Sequence, residues 1–311
     1  MIDVNSLEIF KIPHYKDEVI ENKNVLLNEN AYLSIITTNK CQMKCSYCIN
    51  SETDQSSDLN VDIAVTNIQK LTERYNIKEA ILLGGEPLLH PNLFELIKKL
   101  RQNTNLKFIR LTTNGILLND ENFIKKLVDK DYGIQGINIS YHNNKFISLH
   151  QLKCVIETIK KYNNNIKIRI NTNIWKDNLD NLEDLLIHIT KLNFVDEIRI
   201  SNIIPKDSFS VNTLNSNNDL ILSNDKYERL FNHLINHYSN NYTIIKNDKT
   251  LGFVKYILIP TKIPIIINWN LHSNVHLQVC ENIPNREINT FKCLVSGEIS
   301  LSWNNNNIIN F

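Results

Sequence analysis

Between residues 31 and 203 the apolar positions change period again and again. Tyr32 to Thr37 is an apolar run of strand length. Val61, Ala64, Val65, Ile68, Leu71 and Tyr75 then recur at helical spacing, behind Asn60 and Asp62, which suit a helix start. Glu79 to Leu83 is again short, apolar and strand-like. The alternation continues with helix Asn92 to Gln102 and strand Lys107 to Thr112, then helix Asn122 to Lys130 and strand Gly136 to Ser140. Helix Leu149 to Tyr162 precedes strand Ile166 to Ile174, and helix Leu182 to Lys191 precedes strand Glu197 to Ile203. Strand and helix patterns taking turns in this way predict a parallel α/β sheet.

Parallel strands covered on both faces are apolar throughout, yet four of these strands alternate. Arg110 and Thr112 share one face of their strand. So do Asn138 with Ser140, Arg169 with Asn171 and Asn173, and Arg199 with Ser201, while the opposite faces are mostly Ile, Leu or Val. A packed barrel centre would not tolerate such arginines unpaired. The pattern predicts a curved sheet, apolar outside under its helices and polar inside around a ligand-filled lumen.

The flanks read differently. Residues 1–30 form an N-terminal extension with two short apolar groups, Leu7 to Ile12 and Val25 to Leu27. The barrel-like unit occupies 31–205. From 206 to 311 the repetition stops: a polar stretch leads to an amphipathic helix carrying Tyr227, Leu230, Phe231, Leu234 and Ile235. Strand-like runs follow at Tyr242 to Ile245, Phe253 to Leu258, Ile263 to Trp269, Val275 to Cys280 and Phe291 to Trp303. This predicts a smaller, mostly β accessory region that caps the open side of the barrel.

Composition narrows the function class. A formal net charge of +1 supplies no global field for nucleic acid or an anionic membrane surface. No stretch approaches the ~18–20 continuous apolar residues of a membrane span, and Met1-Ile-Asp-Val-Asn5 does not start a secretion signal. A cytoplasmic protein is expected, in which Cys41, Cys45, Cys48, Cys154, Cys280 and Cys293 are ligands or reactive thiols rather than disulfides.

Three of those thiols fall within eight residues, Cys41-Gln-Met-Lys-Cys45-Ser-Tyr-Cys48, directly after the first strand. Thiolates suit zinc or iron-sulfur centres. A closed zinc site takes four ligands, usually as two pairs, and the chain has no second CxxC. Held by three thiolates, an iron-sulfur cube keeps one iron open for a further ligand.

The CxxxCxxC pattern with Tyr47 before its last cysteine resembles the signature of the radical S-adenosylmethionine (SAM) superfamily. The resemblance covers roughly residues 30–205. It implies an open partial (β/α)6 barrel, one 4Fe-4S cluster on Cys41, Cys45 and Cys48, and SAM chelated at the open iron. It also implies reductive cleavage of SAM to methionine and a 5'-deoxyadenosyl radical that abstracts a substrate hydrogen, with an electron donor such as flavodoxin or ferredoxin. Leu83-Gly84-Gly85-Glu86-Pro87 resembles the motif that binds the SAM amino group, with Glu86 as acceptor and the glycines allowing close backbone approach. Ser140, Arg169 and Asn171 match positions that touch the SAM ribose or carboxylate, and Thr113 and Asn114 sit where the third strand opens toward the site.

The closest flavour is the molybdopterin-cyclase-like and SPASM/Twitch branch, whose accessory domains usually hold further clusters. Here only Cys280 and Cys293 lie beyond the barrel, so even with His272 and His276 the region reads as a degenerate, cluster-free remnant. Either cysteine is instead a candidate hydrogen-atom donor to a substrate radical, whereas Cys154 is expected outside the barrel. The substrate expected is a ribosomal peptide or a small cofactor or natural-product precursor, with no nucleic acid or membrane partner. A catalytically silent scaffold and a zinc-binding interaction protein are the alternatives.

Overall fold

The computed structural model describes residues 15–21, 23–48, 56–142, 147–176, 181–203, 242–248, 253–258, 265–268, 287–301 and 307–311. Its centre is six parallel strands in chain order: β2 (Lys23–Thr38), β3 (Glu79–Gly84), β4 (Phe108–Thr113), β5 (Gly136–Ser140), β6 (Lys167–Ile174) and β7 (Glu197–Asn202). Helices α1 (Val61–Tyr75), α2 (Leu93–Asn103), α3 (Glu121–Leu127), α4 (Leu149–Tyr162) and α5 (Leu182–Ile189) connect them. The side chain of Asn60 caps α1 by accepting from the Asp62 and Ile63 amides, as its place in the sequence predicts.

The two faces of the sheet divide as the alternation predicts. On β4, Ile109 and Leu111 are buried beneath the helices, and Phe108, Arg110 and Thr112 face the other way. On β6, Ile168, Ile170 and Ile174 are buried while Arg169, Asn171 and Asn173 alternate with them. Against this apolar face α1 lays Ala64, Val65, Ile68, Leu71 and Tyr75. A fully buried Leu or Ile of this kind contributes roughly 1.5–3 kcal/mol. The sheet curls: Tyr47, which follows β2, and Trp175, which follows β6, have ring centroids 4.5 Å apart, although three strands stand between β2 and β6 in the sheet order.

Strand β2 is longer than the apolar run that announces it. Asn28, Glu29 and Asn30 interrupt the pattern, but the strand passes through them because β1 (Tyr15–Ile20) pairs antiparallel with residues 23–28. The apolar group Leu7 to Ile12 lies outside the described residues.

The C-terminal strands extend the sheet at both edges. On one side β10 (Ile265–Asn268) runs parallel to β7 and is followed outward by β9 (Phe253–Leu258) and β8 (Tyr242–Asp248). On the other side β11 (Glu287–Cys293) runs parallel to β2 and continues into β12 (Ile299–Ser300) and β13 (Ile308–Ile309). Edge pairing of this kind satisfies backbone groups that an open sheet would otherwise expose. The helix expected around Tyr227 to Ile235 and the strand expected at Val275 to Cys280 lie outside the described residues.

Candidate functional site

The loops that follow the parallel strands meet at one end of the lumen, where α/β barrels carry their chemistry. Leaving β2, the chain runs through Thr38, Asn39 and Lys40 into Cys41, Cys45 and Cys48, all three thiols half-buried. Within this loop Met43 N donates to Cys41 Sγ at 3.4 Å and Cys48 N to Cys45 O at 3.0 Å. Burial pushes the Cys41 thiol above its usual range, and the negative charges of Glu86, Cys48 and Cys45 add to that shift.

Gly84 and Gly85 press the next loop against this one. A Cβ on Gly84 would stand 2.3 Å from Thr38 O, and one on Gly85 2.3 Å from Lys40 O. Gly84 also adopts φ +146°, which side-chain-bearing residues rarely do. The close approach is cemented by Gly85 N donating to Thr38 O and Glu86 N to Lys40 O, both at 2.7 Å. Both glycines thus admit the backbone that leads into the cysteines.

Glu86 is buried, only 1 % exposed, and its carboxylate is already engaged. Oε1 accepts from Leu88 N at 3.1 Å and from Thr113 Oγ1 at 2.7 Å, and Oε2 accepts from Asn114 N at 2.8 Å. Burial raises its pKa and the three donors oppose the rise without cancelling it. Asn114 Oδ1 in turn accepts from Ile116 N at 3.0 Å and from Gln42 Nε2 at 3.4 Å, which ties the loop after β4 to the cysteine loop.

Ser140, the last residue of β5, and Asn171, midway along β6, are register neighbours. Asn171 Oδ1 is buried and has no hydrogen-bond partner, an acceptor on the lumen face open to a ligand donor. Arg169 lies one inward-facing position further down. Its Nη2 donates to Glu197 Oε2 at 3.0 Å and its Nε lies against Glu197 Oε1, so its guanidinium belongs to a two-pronged pair with the neighbouring strand. Beside it Arg110 Nη1 donates to Asn138 Oδ1 at 3.1 Å, and Asn138 Nδ2 to Thr112 Oγ1 at 3.0 Å, forming a polar floor.

Cys293 does not reach the lumen. It is fully buried opposite Ile35, on the same face of β11 as Phe291, whose ring stacks on Tyr75 of α1 at 5.4 Å. Its thiol is pushed up to about 12 by burial, as befits a packed apolar group. A hydrogen-atom donor must face the substrate, so this placement corrects the expectation for Cys293. Cys280, His272 and His276 lie outside the described residues, and Cys154 is exposed on α4, outside the barrel as expected.

Two residues at this mouth, His142 and Trp175, belong to no recognisable sequence motif. The signal was a His and a Trp placed just past the ends of two strands with polar inner faces. Their rings pack on Tyr47, with centroid separations of 5.6 Å and 4.5 Å.

The description "Radical SAM superfamily" matches residues 35–192, half of the chain. This chain belongs to the radical SAM superfamily. Among curated relatives of this radical SAM protein, GTP 3',8-cyclase of Clostridium perfringens (strain SM101 / Type A) is 34% identical over 187 residues, covering 56% of this chain and 55% of the relative. A probable GTP 3',8-cyclase of Methanocaldococcus jannaschii is 35% identical over 138 residues, covering 42% of this chain and 44% of the relative. The chain therefore spans about half the length of the curated relatives it matches. In fold it is similar to SuiB of Streptococcus suis bound to S-adenosylmethionine, with a TM-score of 0.61 at 13% identity over 92% of this chain and 64% of that one.

Radical SAM membership implies a 4Fe-4S cluster and SAM, and the residues present fit both. Among the described residues no three His, Cys, Asp or Glu side chains are drawn tightly enough around one point to hold a single ion. A cluster instead takes each thiolate on a different iron. Asn171 Oδ1 offers an acceptor for a polar ligand in the adjoining lumen. Among the described residues no helix is long and apolar enough to cross a membrane.

Proposed function

We propose that this protein is a radical SAM enzyme that holds one 4Fe-4S cluster on Cys41, Cys45 and Cys48 and acts on a small, anionic precursor in cofactor biosynthesis. When bound, the cluster supplies the electron that splits SAM into methionine and a 5'-deoxyadenosyl radical. The observation that carries the reading is the convergence of the three-cysteine loop with Gly84, Gly85, Glu86 and Asn114 at the mouth of the lumen, inside the segment that matches the family.

The chain's own residues would divide the work. Glu86 holds three loops in register through its three accepted hydrogen bonds. Ser140 and Asn171 face the space where SAM would lie, and the Asn171 amide oxygen would accept from its ribose hydroxyl or ammonium group. Arg169, paired with Glu197, would give shape and charge to the lumen wall. An external low-potential donor such as flavodoxin or ferredoxin would supply the electron.

A small anionic substrate is favoured by the lumen's charge. Arg110, Arg169, Arg199 and Lys292 project from the inner face, against Glu79 and Glu197. Lys292 is buried, burial lowers its pKa to about 8, and its Nζ donates to Thr290 O at 3.2 Å and to Leu301 O at 2.8 Å. The relatives named GTP 3',8-cyclase point to a nucleoside triphosphate as the first compound to try.

The test is anaerobic reconstitution with iron and sulfide, followed by SAM and dithionite with and without GTP. A brown protein that forms 5'-deoxyadenosine, faster when GTP is present, is the expected result. A colourless protein that leaves SAM intact overturns the enzyme reading; SAM cleavage indifferent to GTP and to other phosphorylated precursors overturns the substrate class.

A further inference from the structure

Thr38 is the last residue of β2 before the cysteine loop, and three chain segments meet on it. Its carbonyl accepts from Gly85 N at 2.7 Å, which ties it to the loop after β3. Its hydroxyl donates to Asp58 Oδ1 at 2.7 Å and accepts from Lys40 N at 3.1 Å. Thr38 is fully buried, and Asp58 lies beyond the cysteines, just ahead of the Asn60 cap of α1.

The two ends of the cysteine loop are thus joined at a neck. Asn39 N donates to Ser57 O at 3.0 Å and Leu59 N to Thr37 O at 2.9 Å, so Thr38 and Asp58 pair as an antiparallel bridge. The Asp58 side chain closes the bridge a second time: Oδ1 takes the Thr38 hydroxyl and Oδ2 takes Lys40 Nζ at 2.5 Å. The returning end is anchored separately. His90, which is buried, accepts at Nδ1 from Asn92 N at 3.1 Å; its ring proton is therefore on Nε2, which donates to Leu59 O at 3.0 Å. Leu59 is in this way tied to the turn that follows Glu86 as well as to β2.

Holding the two ends of a loop together costs closure entropy. With the neck closed in the cluster-free chain, the fold has already met that cost, and Cys41, Cys45 and Cys48 start from a restricted set of positions. With the neck open, the same ordering must be drawn from cluster binding, which weakens it, because a preorganised ligand set binds more tightly. We propose that Asp58 is a positioning residue for the cluster: through Thr38 Oγ1 and Lys40 Nζ it closes the neck of the cysteine loop before any cluster is bound, and so sets how firmly the cluster is retained. The inference rests on Cys41, Cys45 and Cys48 being the cluster ligands.

The experiment compares wild type, Asp58→Ala, Asp58→Asn, Thr38→Val and the Thr38→Val/Asp58→Ala double variant. Amide hydrogen exchange on cluster-free protein comes first. A charge-assisted hydrogen bond is worth about a tenfold change in an opening equilibrium. Asp58→Ala is therefore expected to speed exchange of the Asn39 and Leu59 amides about tenfold while β4 and β6 exchange as in wild type. Asp58→Asn keeps an oxygen for the Thr38 hydroxyl and should fall nearer wild type. The double variant should exchange no faster than Asp58→Ala alone. Wild-type exchange at Asn39 and Leu59 in Asp58→Ala overturns the proposal, and so does equal loosening of β4 and β6, which would make Asp58 a general prop of the fold. Full additivity in the double variant overturns the Thr38 contact as the route.

Reconstituted protein gives the second readout, iron release to a chelator followed by loss of the visible absorbance. Iron and sulfide are counted beforehand. A wild type that takes up neither refutes the cluster reading, and with it the role of Asp58, even where the neck behaves as expected. With clusters loaded, Asp58→Ala should release iron about tenfold faster than wild type, and Asp58→Asn at an intermediate rate. An Asp58→Ala protein whose neck opens but whose iron leaves at the wild-type rate overturns the positioning role.

Discussion

Replacing Glu86 by Gln tests whether this carboxylate is built for the fold or for a ligand. The change keeps the volume but turns one oxygen into an NH2 group. If Oε1 still accepts from Leu88 N and Thr113 Oγ1, the new NH2 faces the Asn114 N–H, donor against donor, in a site 1 % exposed. One buried donor left unmet costs about 1–3 kcal/mol, and each surviving bond drops from the charge-assisted range of about 1.5–3 kcal/mol toward about 1 kcal/mol. Relief of the buried charge, visible in the raised pKa, offsets part of this. The net expectation is a loss of about 2 kcal/mol, or about 3–5 °C in Tm for a chain of this size. Glu86→Ala leaves all three donors without their acceptor, so it should lose about twice as much. Thermal unfolding of the cluster-free protein by circular dichroism measures both without SAM or iron. A Glu86→Gln protein that melts with wild type yet no longer binds SAM would refute the structural role and return the carboxylate to direct ligand contact.

Other outcomes follow from the same geometry. Gly85→Ala forces a Cβ into Lys40 O and breaks the two 2.7 Å bonds between the loops; a loss of about 2–3 kcal/mol is expected by chemical denaturation. Cys45→Ala should leave the fold intact and abolish SAM cleavage, with iron per chain falling well below wild type; residual turnover would show the loop is not the cluster site. His142 has its pKa lowered to about 4 by burial, against about 6.5 in an unfolded chain. Below about pH 6.5 the unfolded state therefore binds more protons than the fold, so stability is full above that pH and falls toward pH 4, by up to about 3 kcal/mol. His142→Phe should flatten that acid limb in cluster-free protein, and an unchanged limb would place the titration elsewhere. Cys293→Ala, far from the lumen, should lower stability by about 1–2 kcal/mol and leave product formation unaltered.

Much of this molecule is legible in the chain alone. Period-2 and period-3.6 patterns placed the central strands and helices because parallel strands under amphipathic helices must alternate that way. The inward arginines and asparagines showed that the sheet has a polar side, since such groups cannot be packed dry. The three cysteines were plain because soft ligands at short loop spacing have few other uses.

What the chain could not show was contact between segments distant in sequence. Nothing local to Gly84 and Gly85 says that their missing Cβ atoms make room for Thr38 and Lys40, because that depends on two parallel strand ends being hydrogen-bonded neighbours. Glu86 reads as a ligand from its motif, but only the folded loops bring Thr113 and Asn114 to it. Arg169 reads as an inward cation, and only the β6–β7 register supplies Glu197. Cys293 shares a residue type with the cluster loop, yet strand parity on β11 turns it toward α1. His142 and Trp175 lie 95 and 128 positions beyond Tyr47, and it is the curl of the sheet that closes their rings around it. Local patterns determined which elements form and which faces are polar; pairing register and sheet curvature, which arise only once every strand has chosen its neighbour, decided which of those polar groups meet.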